Sequence, residues 1–372
     1  MPFFYLQILL NKIKRQNKKQ FRVLVISLAK IGDLVCVTPI FREIKKKYPS
    51  CHLSVLALDY SSPVIAGNPH IDEVVLFNIK NGYSIKTTLG LIKKIRKMNF
   101  GISISCEHSM VNSVISFWSG IPCRISSTSA FAPMPAKIQS IFNTQNVDFK
   151  DTDLAYTHYL RLLKILDIDD SNIKLDIFTS PSLEQKAEDF LRTINFSDDD
   201  LSVAICPTAG SGSDFKEWEP EKWSVLANRI IENFGAKIIF IGAPRDKEKI
   251  SKIRREVKGE TIDSSGLLPL EDLPAIFKKI KLFITVFNGP MHIANALNKP
   301  LVVIVGPCSM HHQRPIGDNF IAIRKPLYCQ PCVFCTRTPR YCKEGHNLCI
   351  KDTKVDEIYE AALSLMKNNN IG

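Results

Sequence analysis

The chain alternates short apolar runs with longer amphipathic stretches, and it does so twice. In the first half, apolar runs at 22–28, 53–57, 74–77 and 101–105 predict strands. Stretches 34–48, 87–98 and 156–166 carry apolar residues at helical spacing. Strands alternating with helices predict a parallel sheet covered on both faces. The stretch 126–143 is rich in Ser, Ala and Pro, has no period, and predicts a long loop. The alternation then restarts, with strands predicted at 202–206, 237–241, 282–286 and 301–305. The intervening helices are predicted at 220–234, 246–257, 270–280 and 290–297, and a last amphipathic helix at 355–367.

This pattern divides the chain into a basic N-terminal segment (1–20), a first Rossmann-like domain (21–170), and a linker (171–200) holding a strand at 174–178 and a helix at 183–193. A second Rossmann-like domain (201–352) and a C-terminal helix (353–372) follow. The strand-to-helix turns at 22–33 (RVLVISLAKIGD) and 282–307 contain glycines, with a third such turn at 204–216. Turns of this kind present free N–H groups to phosphates. Together they predict two α/β domains sharing one nucleotide-type ligand.

With 372 residues, 45% hydrophobic and 23% charged, the composition is that of a globular protein large enough for two cores. The formal net charge of +12 favours anionic partners. RNA-binding aromatics and recognition-helix motifs are missing, so nucleic acid is not the expected partner. No apolar run reaches the ~20 residues of a membrane span. The first ten residues, MPFFYLQILL, precede Lys12, Lys14, Arg15, Lys18, Lys19 and Arg22 with no acid among them. The segment reads either as a frayed basic tail or as a surface helix that dips Phe3, Phe4, Leu6 and Leu10 into an anionic leaflet. Six of the eleven cysteines are scattered, and those in strand-like runs (Cys36, Cys106, Cys206) read as small packed hydrophobes in a reducing cytoplasm.

Four segments, in order, carry a family resemblance: LAKIGDLVCVTPIFREIKKKYP, the GAPRD turn, NGPMHIANALNKPLVVIVGP, and GHNLCIKD near the end. The chain resembles the heptosyltransferase family of inverting glycosyltransferases from about Arg22 onward. The resemblance implies the GT-B fold, with two doubly wound domains and a cleft between them. It implies transfer of a heptose from an ADP-sugar to the phosphorylated lipid A–core of lipopolysaccharide, at the cytoplasmic face of the inner membrane. An ADP-sugar donor, that acceptor and an anionic membrane surface are then the partners, and no cofactor is required. Two rivals stay open: the same fold using another nucleotide sugar, and a catalytically weak, zinc-stabilised binding protein at the membrane.

Inverting transfer needs a base for the acceptor hydroxyl and stabilisation for a departing diphosphate. Asp33, beside Gly32 at the end of the first strand–turn, is the base candidate, and the matching Asp is the presumed base of the family. The alternative is that Asp33 caps a helix starting at Leu34. Gly32 and the basic residues from Arg42 to Lys47 are assigned to the acceptor. The turn Asn288, Gly289, Pro290 opens a helix onto the diphosphate, and Lys216, which the family shares together with Trp218, supplies a cation. Thr208 and Ser211 add donors from the same loop. The family's ribose-binding acid falls at Asp246, for which a helix cap is the alternative, and its adenine-contacting segment falls at Leu268. His292 belongs to the donor-site architecture. Phe287 departs from the family, which places an acid there against the donor sugar. His311, His312 and Gln313 read equally as cleft residues or as a solvated loop. Cys329, Cys332, Cys335, Cys342 and Cys349, with His346, read either as a structural zinc site or as packed thiols.

Overall fold

A computed structural model describes residues 21–79, 84–129, 138–150, 152–168, 171–197, 199–210, 212–335 and 337–371. The basic N-terminal segment and Ser211 lie outside them. The chain forms two compact units, 1–175 and 176–372.

In the first unit, β1 (Arg22–Ser27), α1 (Ile31–Lys47), β2 (His52–Leu58), β3 (Glu73–Phe77), α2 (Ile85–Met98), β4 (Ile102–Ser105), α3 (Met110–Trp118), β5 (Cys123–Ser129), β6 (Gln145–Phe149) and α4 (Ala155–Leu162) follow one another. The strands form one sheet in the order β3-β2-β1-β4-β5-β6, parallel throughout. β1 is buried over Val23–Ser27 because helices cover both faces of the sheet, which is why it reads as a continuous apolar run. On one face, Leu24, Ile26, Leu56 and Val75 pack with Leu91, Ile92 and Ile95 of α2 and Ile115 of α3.

α1 carries Pro39 in its interior. A proline there leaves the carbonyl four residues back without its amide. That carbonyl, Val35 O, receives the buried Thr38 hydroxyl at 2.7 Å, so the Thr38-Pro39 pair is accommodated without an orphaned acceptor.

The second unit contains α5 (Pro181–Thr193), β7 (Ser202–Cys206), α6 (Pro220–Phe234), β8 (Lys237–Phe240), α7 (Lys247–Arg255), β9 (Thr261–Asp263), α8 (Leu273–Lys279), β10 (Leu282–Val286), α9 (Gly289–Ala296), β11 (Leu301–Ile304), α10 (Met310–Gln313), β12 (Phe320–Ile323), α11 (Leu348–Lys351) and α12 (Val355–Asn368). Its sheet has the order β12-β11-β10-β7-β8-β9, again parallel. The architecture is therefore two doubly wound α/β units, as the alternation predicts.

Several expectations are corrected. The stretch 126–143 is not a continuous loop: β5 runs to Ser129, and Ser140–Phe142 form a turn of 3-10 helix. Buried serines, Ser126, Ser127 and Ser129, hid β5 from an apolar-run criterion. β6, β9, β12 and α3 were not anticipated. The linker strand at 174–178 does not form, and the linker helix α5 packs on α8 inside the second unit. Lys278 of α8 reaches Thr179 and Glu184 at the start of α5. The C-terminal helix was read as separate from the second domain. It belongs to the core of the second: Ile358, Tyr359, Ala362, Leu365 and Met366, at helical spacing, pack with Val302, Ile304 and Leu226. Arg229 of α6 stacks on Tyr359 at 3.8 Å and pairs with Asp356. Each of those fully buried aliphatic side chains contributes about 1.5–3 kcal/mol.

Candidate functional site

Both sheets reverse direction once, and that reversal places the candidate residues. From β1 the chain moves outward to β2 and β3, then returns to the other side of β1 at β4. From β7 it moves to β8 and β9, then returns beside β7 at β10. Ligands of doubly wound sheets bind outside the carboxyl ends of the strands at such a point.

In the first unit, the point lies between β1 and β4. Gly32 is buried and Asp33 half-buried. The helix cap is not Asp33: α1 begins at Ile31, its cap residue is Lys30, and Asp33 sits within the first turn. There its carboxylate faces the positive end of the helix dipole. Opposite, after β4, stands Glu107, which the sequence reading passed over. Ser27 Oγ donates to Glu107 Oε1, and Asn112 Nδ2 donates to Oε2 at 3.2 Å. Burial and the negative charge of Asp33 raise the Glu107 carboxyl to a pKa of about 7.

Arg42 was assigned to the acceptor, and its guanidinium is otherwise engaged. Nη1 donates to the Lys174 carbonyl at 3.0 Å and Nη2 to the Asn172 carbonyl at 2.8 Å. Nε pairs with Glu43 at 2.8 Å. It lies nine residues beyond Asp33, about 13 Å along the helix. Arg42 ties the end of the first unit to α1. Lys45 likewise bonds the Cys51 carbonyl at 2.8 Å and Asp72 at 2.6 Å.

In the second unit, the point lies between β7 and β10, and the loop after β7 meets the turn after β10. Asn288 Oδ1 accepts from Met291 N at 3.0 Å and so caps α9. Its Nδ2 donates to the carbonyl of the buried Thr208 at 2.9 Å. Gly289 and Pro290 form the first turn of α9, with Pro290 where no intrahelical amide is needed. Asn288 therefore shapes the phosphate-type turn, with both ends of its side chain engaged.

The loop from Pro207 to Glu219 is braced on both flanks. Glu217 accepts from Ala209 N at 3.0 Å and pairs with Lys249 at 2.7 Å. Trp218 is buried edge-on against Trp223 and donates to the Thr353 carbonyl at 3.0 Å. Between the buried Phe215 and Trp218, Lys216 is left half-exposed. No ion pair to it forms among the described residues. Its charge reaches Cys308, on the turn after β11. A β-carbon on Gly210, whose φ is +89°, would stand 3.6 Å from the Arg245 guanidinium. Arg245 is thus a second cation over this loop, missed in the sequence although it sits in the GAPRD turn.

Asp246 Oδ2 accepts from Ala243 N at 2.8 Å, closing the turn after β8. It makes no cap bond to α7. A β-carbon on Gly242 would stand 2.6 Å from Ile250 Cδ1 and 3.1 Å from Asp246 Cβ, so a larger residue here makes the Ile250 side chain shift. The segment holding Leu268 is drawn to the same turn by Gly266 N donating to the Gly242 carbonyl at 3.2 Å. Leu268 is half-buried, while the neighbouring Leu267 is 60% exposed.

His292 is buried in α9, and loss of solvation holds its pKa down to about 4, so its ring is neutral. The ring of Phe287 meets it edge-on at 6.1 Å. His312 is buried with its Nδ1 3.2 Å from the Cys335 thiol, and the neighbouring His311 is exposed. Cys335 thus separates from Cys329, Cys332, Cys342, Cys349 and His346, which line a cavity of about 210 Å³ with Phe215 and Pro307. Among the described residues no group of three or more His, Cys, Asp or Glu is arranged to hold a metal ion. All five of these cysteines are free thiols, and Cys349 is buried. Among the described residues, no helix is long and apolar enough to cross a membrane.

Comparison with known proteins agrees with this geometry. Residues 88–340 match Glycosyltransferase family 9 (heptosyltransferase). Lipooligosaccharide heptosyltransferase 2 of Haemophilus influenzae is 22% identical over 81% of this chain and 88% of its own length. A family 9 glycosyl transferase from Veillonella parvula superposes with a TM-score of 0.81 at 22% identity, over 94% of this chain and 98% of that one. The Escherichia coli ADP-heptose lipopolysaccharide heptosyltransferase II superposes with a TM-score of 0.76 at 17% identity, over 94% of this chain and all of that one. The chain is therefore a glycosyltransferase with the GT-B fold and belongs to glycosyltransferase family 9, the heptosyltransferases.

Proposed function

We propose that the chain moves a heptose, or a closely related sugar, from an ADP-sugar to the inner core of lipopolysaccharide, with inversion. The observation that supports this most is the bond from Asn288 to Thr208. It joins the loop bearing Lys216 to the N-terminus of α9 at the reversal point of the second sheet. Such a place suits a diphosphate: Lys216 and Arg245 supply charge, and the first amides of α9 supply donors. Asp246 would accept from ribose hydroxyls, and Leu267 with Leu268 would offer an apolar face to adenine. In the reaction, Asp33 takes the proton of the acceptor hydroxyl as its oxygen attacks the anomeric carbon. The bond to ADP breaks, and the charge that develops on the diphosphate is met by the two cations and the helix end.

The names of the relatives support the lipopolysaccharide acceptor and the ADP-heptose donor. The net charge of +12 suits a phosphorylated acceptor and an anionic inner leaflet, with the basic N-terminal segment as the membrane contact.

One observation favours a second reading, transfer from another nucleotide sugar. Phe287, which is 9% exposed, places an apolar ring immediately before the donor turn, where it cannot bond a sugar hydroxyl. A screen of ADP-, GDP- and UDP-sugars with a delipidated heptose-accepting core oligosaccharide decides between them. Turnover with ADP-heptose above the other donors supports the proposal. Turnover only with a GDP- or UDP-sugar overturns it.

A further inference from the structure

Glu107 is a carboxylate that the fold goes to some length to hold and that the reaction as described does not use. β1 and β4 are adjacent, with Ile26 in register with Ser105 and Cys106 N donating to the Ile26 carbonyl at 3.1 Å. Asp33 follows the first of these strands and Glu107 the second. The two carboxylates thus flank the point where the strand order reverses, which is where a ligand enters such a sheet.

The side chain is fixed on its inner flank. Ser27 and Asn112, both fully buried, each donate to one of its oxygens. Its own backbone amide adds a third bond, and a carboxylate has about four acceptor positions, so one stays open. No cation pairs with Glu107 among the described residues, and an unpaired desolvated carboxylate is costly. The residue nonetheless stays partly exposed. Proximity to Asp33 shows independently in its electrostatics, since the charge of Asp33 hinders ionisation of Glu107. A packing role calls for none of this, because an apolar residue in the same place would leave no charge to satisfy.

We propose that Glu107 is an acceptor-site residue that bonds a second hydroxyl of the sugar ring whose first hydroxyl Asp33 deprotonates. A carboxylate with an open acceptor position, set beside the base, suits the second donor of a vicinal diol. Asp33 takes the reacting proton. Glu107 takes or gives no proton in the transfer and fixes which hydroxyl faces Asp33, so it sets regiospecificity. This inference rests on the glycosyltransfer reading above.

The test pairs Glu107→Gln with acceptors that lack single ring hydroxyls. On the full acceptor, Glu107→Gln raises acceptor KM roughly 10–100-fold, the worth of one charged hydrogen bond, and leaves donor KM unchanged. On the acceptor lacking the bonded hydroxyl, wild type falls to the level of the variant, and the variant loses nothing further. An equal loss by the variant on every acceptor, or a loss confined to kcat, overturns the inference. If Glu107→Gln does not fold, Glu107→Asp, which keeps the charge and withdraws it by one methylene, must blunt the same discrimination. Unaltered discrimination by Glu107→Asp likewise overturns it. A wild type inactive with every nucleotide sugar sinks the functional reading itself. An active wild type with an indifferent Glu107→Gln sinks only this inference.

Discussion

The amide of Asn288 donates to the carbonyl of Thr208 at 2.9 Å, while its oxygen caps α9 by accepting from Met291 N at 3.0 Å. One side chain therefore joins the loop after β7 to the start of α9, though the two are 80 residues apart in sequence. Asn288→Asp keeps the cap and replaces the donating amide with an acceptor. We expect ADP affinity to fall about 10–100-fold by calorimetry, because a like charge enters an anion site and the loop loses its tether. Asn288→Ala loses the cap as well and unfolds earlier, by about 1 kcal/mol. Unchanged ADP affinity in Asn288→Asp would dissociate the turn from the nucleotide.

Lys216→Ala and Arg245→Ala are each expected to weaken ADP binding by about 1.5–3 kcal/mol, as for the loss of one charged hydrogen bond. Stability should hardly change, since Lys216 has no ion-pair partner among the described residues and Arg245 is more than half exposed. The double variant should lose less than the sum, because both cations face one diphosphate. Full additivity in titrations of the three variants would place the two residues at separate sites.

Arg42→Ala should act on stability and leave acceptor KM alone. Its guanidinium holds the carbonyls of Asn172 and Lys174 and the Glu43 carboxylate. Losing these bonds is expected to lower Tm by several degrees, about 1–3 kcal/mol. A normal Tm with a raised acceptor KM would restore the acceptor assignment.

Stability should fall with acidification below about pH 6.5. Burial holds His158 and His292 down to a pKa of about 4. A histidine depressed in the fold gives stability that is present above its unfolded value, near 6.5, and is lost as pH falls toward 4. Each contributes on the order of 2–3 kcal/mol at the limit. Glu107, raised to about 7, acts with the opposite sign: its stabilising effect is present below its unfolded value and is lost as pH rises through 7. Two histidines against one carboxyl leave a net loss on acidification. His158→Gln, which can keep the bond to Ser127, should flatten the Tm profile between pH 7 and 5. A parallel profile would show that His158 titrates normally.

Much of this was legible in the sequence, for identifiable reasons. Strands buried on both faces, such as β1 and β10, are unbroken apolar runs, and glycine-containing turns follow them. β5 escaped because its polar residues, Ser126 and Ser127, are buried and bonded by Gln139 and His158. β9 and β12, three and four residues long, are too short for a periodicity test. The turns that carry Asp33 and Asn288 were readable because residue type and local sequence suffice. A side chain was unreadable where its role depends on a distant partner. Arg42 looked like a free cation until the carbonyls 130 and 132 residues away were in place. Glu107 had no motif, and only the adjacency of β1 and β4 brings it to Asp33. The cysteine spacing grouped Cys335 with the others, and only the fold turns it toward His312.

The most direct measurement is single-turnover transfer by Asp33→Asn, with ADP affinity and Tm measured on the same preparation. The base assignment predicts that the chemical step falls by about 10²–10⁴-fold, while ADP affinity and Tm stay near wild type. Near-normal transfer by Asp33→Asn would contradict the account at its centre.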